Sequence, residues 1–296
     1  MRAILTFTLC LFTYFSLSAQ TVIERPDLRV PSKIAPAYFG PNAFPVPDML
    51  DGRTSDVLKA ELYADGFCCT MTDSPSDDLT FDVFAKVTIP LFTSKVNLVL
   101  WMPVVEYHRT SPEVNALRRV PSEGYVSGWD SGDAYVSTDI RFLNQQRHGC
   151  DMTVRAALKS ASGNSWSTAR VYDSPGYFFD LSAGRRLYAS KDGRTSLRLA
   201  VSGGFLCWQT GNGRQNDAVM YGLMAAFATG PLSLDMTYGG YVGWEGDGDC
   251  PMTLKTRLSW SFGRIALNLA HQVGFMDWPF HQLRLGLSYN VSVLKN

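Results

Sequence analysis

Charged side chains recur at every second position of stretches that are otherwise apolar, and that spacing limits the chemistry open to them. Glu61, Asp82, Lys86, Asp139, Arg141, Arg155, Lys159, Asp180, Arg186, Arg198, Asp235, Lys255, Arg257 and Arg284 each sit on the polar face of a segment whose other face is aliphatic or aromatic. A period of two is the mark of a β-strand, so these groups project from one face of a sheet. In a dry core, unpaired charges would be prohibitively costly. Facing a wet or mutually paired interior, they have two uses. Acids and arginines can pair into ladders that fill and stiffen a narrow lumen. Alternatively, the excess of arginine can line a path for anionic or polar solutes, as rings of charge do in pores. Both readings stay open.

Catalytic chemistry has less support. Hydrolysis needs a base beside a nucleophile or a metal, and the histidines are His108, His148, His271 and His281. The run Glu106 to Ser111 places His108 and Ser111 together, but the His-x-Ser-Asn-Gly pattern of outer-membrane phospholipases is absent. His108 is therefore expected to be a surface residue, and His271 to lie on the apolar face without a partner. Glu245, Asp247 and Asp249 lack the EF-hand pattern and read as a mobile acidic loop. No catalytic residue, metal site or cofactor is expected.

The elements that position the charges are strands. From Leu79 to Leu91 one face carries Leu79, Phe81, Val83, Ala85, Val87, Ile89 and Leu91, and the other carries Thr80, Asp82, Phe84, Lys86 and Thr88. Comparable segments cover roughly 57–67, 79–92, 95–107, 132–143, 150–160, 177–188, 195–208, 218–228, 231–244, 252–262, 264–274 and 282–293. Each approaches or exceeds the roughly 9–11 residues that a tilted strand needs to cross hydrocarbon. Their connections alternate. Those near Thr93, Asn144–Gly149, Lys191–Arg194, Gly230 and Gly263 are compact; Thr110–Ser131, Ala161–Gly176, Gln209–Asp217 and Glu245–Pro251 are long and polar. Short turns at one end and long loops at the other are the plan of an outer-membrane barrel. The aromatics agree. Phe142, Phe227, Trp260, Phe262 and Tyr289 fall near one set of strand ends, and Tyr177, Phe179, Phe205, Tyr221 and Trp244 near the other, as two membrane interfaces require. The expected fold is all-β: a transmembrane antiparallel β-barrel of about 12 strands preceded by a proline-rich N-terminal segment.

Before the strands come two distinct stretches. Met1 to Ala19, with Arg2 ahead of an apolar run, reads as a secretory signal. Residues 20–56 carry Pro26, Pro31, Pro36, Pro41, Pro45 and Pro47 and cannot form a central strand. They are either a periplasmic tail, able to meet a periplasmic partner, or a plug folded into the barrel, which residues 57–296 form. Six cysteines, one of them Cys10 in the signal, leave an odd number after export. They serve mainly as small apolar residues, with room for one loop disulfide. Equal numbers of basic and acidic residues, 27 each, and no basic cluster exclude nucleic acid as a partner. The expected partners are outer-membrane lipid and a small solute.

The stretch Gly132-Asp-Ala-Tyr-Val-Ser-Thr-Asp-Ile-Arg-Phe-Leu143, then Thr153-Val-Arg-Ala-Ala-Leu-Lys-Ser-Ala-Ser-Gly163, and then Gly176 to Tyr188 resembles outer-membrane proteins of the aromatic meta-pathway transporter type. These are broadly similar to FadL-like fatty-acid channels. The whole chain is also similar to barrels of Bacteroidetes. The resemblance to the transporter type spans roughly Gly132 to the C-terminus. It implies passive uptake of small hydrophobic or aromatic molecules, with the proline-rich segment in the place of a lumen hatch. The Gly203-Gly204 and Gly239-Gly240 pairs are where the wall could kink to open sideways. The expected function is a passive channel or facilitator for small solutes, hydrophobic ones among them. The alternatives are a plugged structural or partner-binding barrel, and a membrane-embedded lipid hydrolase.

Overall fold

The computed structural model describes residues 34–164, 166–172, 174–210 and 214–294. The secretory signal and residues 20–33 lie outside that range. The strands are β1 (Leu58–Cys69), β2 (Asp78–Pro90), β3 (Val96–Thr110), β4 (Val126–Asp130), β5 (Tyr135–Leu143), β6 (Asp151–Lys159), β7 (Gly176–Ala189), β8 (Thr195–Thr210), β9 (Arg214–Thr229), β10 (Leu232–Gly243), β11 (Met252–Phe262), β12 (Ile265–Met276) and β13 (Phe280–Val291). Each sequence segment corresponds to one strand. The addition is β4, which pairs only with the outer half of β3, from Glu106↔Asp130 to Thr110↔Val126.

The other twelve strands form a closed antiparallel ring. Sequential neighbours pair in turn, β3 passes on to β5, and β1 closes on β13 over its full length from Leu58↔Val291 to Cys69↔Phe280. Closure satisfies every wall strand's backbone groups within the ring, which is what lets a sheet cross lipid. The ladder runs unbroken through Gly203, Gly204, Gly239 and Gly240, so the described wall has no lateral gap at the glycines singled out for one.

Burial is inverted relative to a soluble protein. Leu62, Leu158, Leu223, Leu283 and Leu285 are more than half exposed on the outer face, while Glu61, Asp139, Thr153, Asp180 and Ser182 are buried inside. Among the described residues, buried polar and charged side chains outnumber buried apolar ones. Phe142, Phe227, Trp260, Phe262 and Tyr289 project outward at one end of the ring, and Phe179, Phe205 and Trp244 at the other. This is an outer-membrane β-barrel, with an aliphatic band between aromatic belts.

The short turns mark the periplasmic end. Two-residue connections follow β9 and β11, and Gly230 and Gly263 take positive φ there (55° and 64°), a conformation that costs glycine nothing. Most of the longer loops lie at the outer end, one with helix α1 (Pro112–Leu117), although the outer connection 277–279 is short; helix α2 (Gln145–His148) lies in a periplasmic connection.

Residues 34–56 run inside the ring from its outer end to its periplasmic end. Phe39 and Phe44 pack at the outer end among Tyr135, Phe178, Leu206, Trp208 and Tyr241. At the periplasmic end Thr54 Oγ1 donates to Ser94 O in the β2–β3 turn (2.5 Å), and Ser55 N donates to Asn97 Oδ1 (2.6 Å). Prolines suit this path because the segment belongs to no ladder and has mainly carbonyls to satisfy. Wall and loop side chains supply the donors: Trp278 of the β12–β13 connection to Pro41 O (3.2 Å), Tyr241 to Phe44 O (3.2 Å), Arg198 to Asp51 O (2.6 Å) and Thr153 to Gly52 O (2.7 Å). Gly184 makes room for it; a Cβ there would come 2.0 Å from Asp51 O.

Candidate functional site: the barrel lumen

The lumen is built from the inward-facing positions of the twelve wall strands, and the segment 34–56 divides it. At the outer end, two arginines that sequence reasoning missed reach in from loops. Arg118, at the C-terminal cap of α1, donates to Tyr38 O (2.5 Å) and Phe39 O (3.3 Å) and pairs with Asp78. Arg170, between β6 and β7, bonds Asp78 Oδ1 (3.0 Å), Glu106 Oε1 (2.8 Å) and Thr80 Oγ1 (2.6 Å). Asn42 of the inner segment donates to both Asp82 Oδ2 and Glu106 Oε2, each at 2.8 Å. Burial opposes the Arg170 charge, but Glu106 and Asp78 outweigh it and hold the guanidinium above the ordinary arginine range. For Arg118 burial prevails, aided by Arg170 and opposed by Asp78, and its pKa is lowered. The cluster ties two outer loops and the inner segment to β2 and β3. Loop arginines carry no periodicity, so nothing local in the sequence says that they turn inward.

Below this cluster a cavity of about 410 Å³ surrounds the segment, within the size range of small-ligand pockets. Its wall includes Lys59, Glu61, Lys86, Asp139, Arg155, Asp180, Asp235, Lys255, Arg257 and Arg284. Most are paired: Lys59 with Glu61 (2.8 Å), Arg155 with Asp180 (2.6 Å), Arg257 with Asp235 (2.6 Å), and Arg284 with Asp65. Arg284 also lies over the rings of Tyr63 (4.8 Å) and Phe84 (4.4 Å). Lys255 binds Asp48 of the segment (2.7 Å). Lys86 lines the cavity with no ion pair among the described residues, and Asp139 accepts only from Ser137 (2.9 Å).

The remaining lumen candidates lie elsewhere. Arg198 is buried against Asp151 (2.9 Å) and Asp51 (3.3 Å). Lys159 is buried nearer the outer end with Asp133 (2.6 Å), and Asp82 beside Asn42. Arg141 is half-buried near the periplasmic end of β5, and Arg186 is exposed at that end of β7, outside the cavity wall.

Three sequence expectations are corrected. His108 is not a surface residue but only 2% exposed, with Nδ1 2.7 Å from Asp130 Oδ2, because β4 and its loop fold over it. His271 has a partner, with its Nε2 3.4 Å from His281 Nδ1 on the neighbouring strand. Cys68, Cys69, Cys150, Cys207 and Cys250 are all free thiols, so no loop disulfide forms. Ser111 acts as the N-cap of α1, accepting from Val114 N (3.3 Å), and Asp249 accepts from Glu245 N within the acidic loop (2.9 Å).

No family model matches the chain, and no curated protein matches it in sequence. Some solved structures are similar over much of their length. The KdgM porin is 8% identical, with 77% of this chain and 98% of that chain covered at a TM-score of 0.47. An outer-membrane channel from Pseudomonas putida F1 is 14% identical, with 83% and 100% covered at 0.48. The transport unit of the autotransporter AIDA-I from Escherichia coli is 10% identical, with 84% and 94% covered at 0.49.

Proposed function

We propose that this barrel is a passive channel for small solutes whose lumen is governed by residues 34–56. The observation that carries the reading is the charged cavity of about 410 Å³ between that segment and the wall. A purely structural barrel has no need of a water-accessible charged space beside a segment held by side-chain contacts. The segment crosses the whole lumen, yet it joins the wall through side-chain hydrogen bonds and ion pairs, not through a ladder. Such contacts can be exchanged for water one at a time. Lys86 and the arginines suit polar or anionic solutes. Hydrophobic or aromatic solutes, implied by the motif resemblance from Gly132 onward, would instead require the buried Phe44, Phe178 and Trp208 cluster at the outer end to open.

The alternative is a closed barrel that serves as a scaffold or binds a partner. It is favoured by the buried Arg118–Asp78–Arg170 cluster, which fixes the segment at its outer end. Planar-bilayer conductance of the full chain and of a form lacking residues 20–54 tests both readings. Current in either form supports the channel. Silence in both, with the barrels folded, supports the scaffold.

A further inference from the structure

Four carboxylates occupy successive cross-strand positions on the lumen side of β1 to β4. Asp65 pairs with Asp82, Asp82 with Glu106, and Glu106 with Asp130. Like charges directly opposite one another destabilise a sheet, and burial makes the repulsion costlier. Compensation is incomplete. Arg284 meets Asp65, Arg170 meets Glu106 and Asp78, and Arg118 meets Asp78. Among the described residues, five carboxyl groups thus face three guanidiniums, an excess of two acids.

The deficit lies at Asp82 and Asp130. Asp82 is 4% exposed, and while its Oδ2 accepts from the neutral Asn42 amide, its Oδ1 has no partner among the described residues. Asp130 Oδ2 lies 2.7 Å from His108 Nδ1, yet the pair does not meet the geometry of a hydrogen bond. His108 Nε2 is also buried without a partner among the described residues. A histidine this buried ordinarily spends at least one ring nitrogen on a hydrogen bond.

We propose that Glu106, His108 and Asp130 bind a divalent transition-metal ion. Each offers a ligand atom, and the three atoms lie within 4.8 Å of one another. A dication offsets that excess of acids and gives the unpartnered nitrogen and carboxylate oxygen a common acceptor of lone pairs. An imidazole among carboxylates selects Zn²⁺ or a neighbouring transition metal over Ca²⁺, which takes oxygens alone. Arg170 occupies Glu106 Oε1, so the ligand atom is Oε2, which Asn42 now contacts.

The test is Zn²⁺ titration of the full-length folded barrel after chelator treatment, read by calorimetry and by metal content per chain. One ion per chain is expected. His108→Gln and, separately, Asp130→Asn should weaken binding by more than about 100-fold, beyond the 10–100-fold typical of losing an outer-shell partner. Asp130 lies on β4 outside the closed ring, so that variant should still fold, as heat-modifiable gel mobility would show. The His271→Gln/His281→Gln double variant controls for the exposed histidine pair and should bind normally. X-ray absorption should report one imidazole among oxygen ligands. The absence of stoichiometric binding, loss only in the double variant, or a two-imidazole signature would each overturn the proposal.

Discussion

Arg170 and Asp78 are 92 residues apart in sequence and meet at 3.0 Å inside the outer mouth of the barrel, both fully shielded from solvent. Without Arg170, Asp78 keeps Arg118 but the buried Glu106 loses its cation, and leaving a buried charge unpaired costs about 3–5 kcal/mol. Arg170→Ala is therefore expected to lower unfolding stability by that amount, measured by urea titration of the barrel in lipid vesicles. A loss below about 1 kcal/mol would mean that water reaches the cluster.

The lower contact of the same segment is of another kind. Asp48 is about half exposed where it meets Lys255, and ion pairs open to solvent contribute roughly 0–1 kcal/mol. Asp48→Asn should leave urea stability within about 0.5 kcal/mol of the parent. If residues 34–56 govern the lumen, it should still raise the frequency of open events in bilayer recordings.

Gly184 and Gly203 offer a matched pair. A Cβ at Gly184 would meet Asp51 O at 2.0 Å, whereas at Gly203 its nearest neighbour is Met220 O at 4.0 Å. Gly184→Ala should displace the inner segment and speed proteolysis within residues 45–56. Gly203→Ala, on the outer face, should change neither protease sensitivity nor fold. Equal protease resistance in the two variants would show that the segment yields without leaving the wall.

Leu285 is 59% exposed on the outer face of β13. On a water-facing surface, arginine there would change stability by less than about 0.5 kcal/mol. Facing hydrocarbon, Leu285→Arg should cost about 2–4 kcal/mol near the midplane. Urea unfolding from vesicles separates the two outcomes.

The wall was legible in the sequence because every wall strand must present one face to lipid and one to the lumen, which writes a period of two along the chain. Leu283, Leu285 and Leu287 alternating with Gln282, Arg284 and Gly286 show it plainly. The strand β4 was not legible. Its five residues, Val126–Asp130, carry Gly128 at the centre and face no membrane, so no alternation marks them. The same absence hid His108, whose burial depends on that hairpin. Arg118 and Arg170 were missed because an arginine in an outer loop has the same local sequence whether it points to water or into the lumen. For residues 34–56, proline content excluded a strand but could not choose between tail and interior. Long-range contacts such as Asn42 with Asp82 decide it, and no local pattern encodes them.

The position of the inner segment also constrains assembly. It directly precedes β1, and β1 meets β13, the last strand of the chain, to close the wall. The seam thus joins the two most distant strands in sequence, a contact of the high order that forms late. A linear chain with residues 34–56 already lying along the forming sheet can be enclosed when the seam zips. A finished cylinder would have to admit the same residues through an end crowded by loops. The wall is therefore expected to close around its contents, making the last pairing event the one that captures the segment.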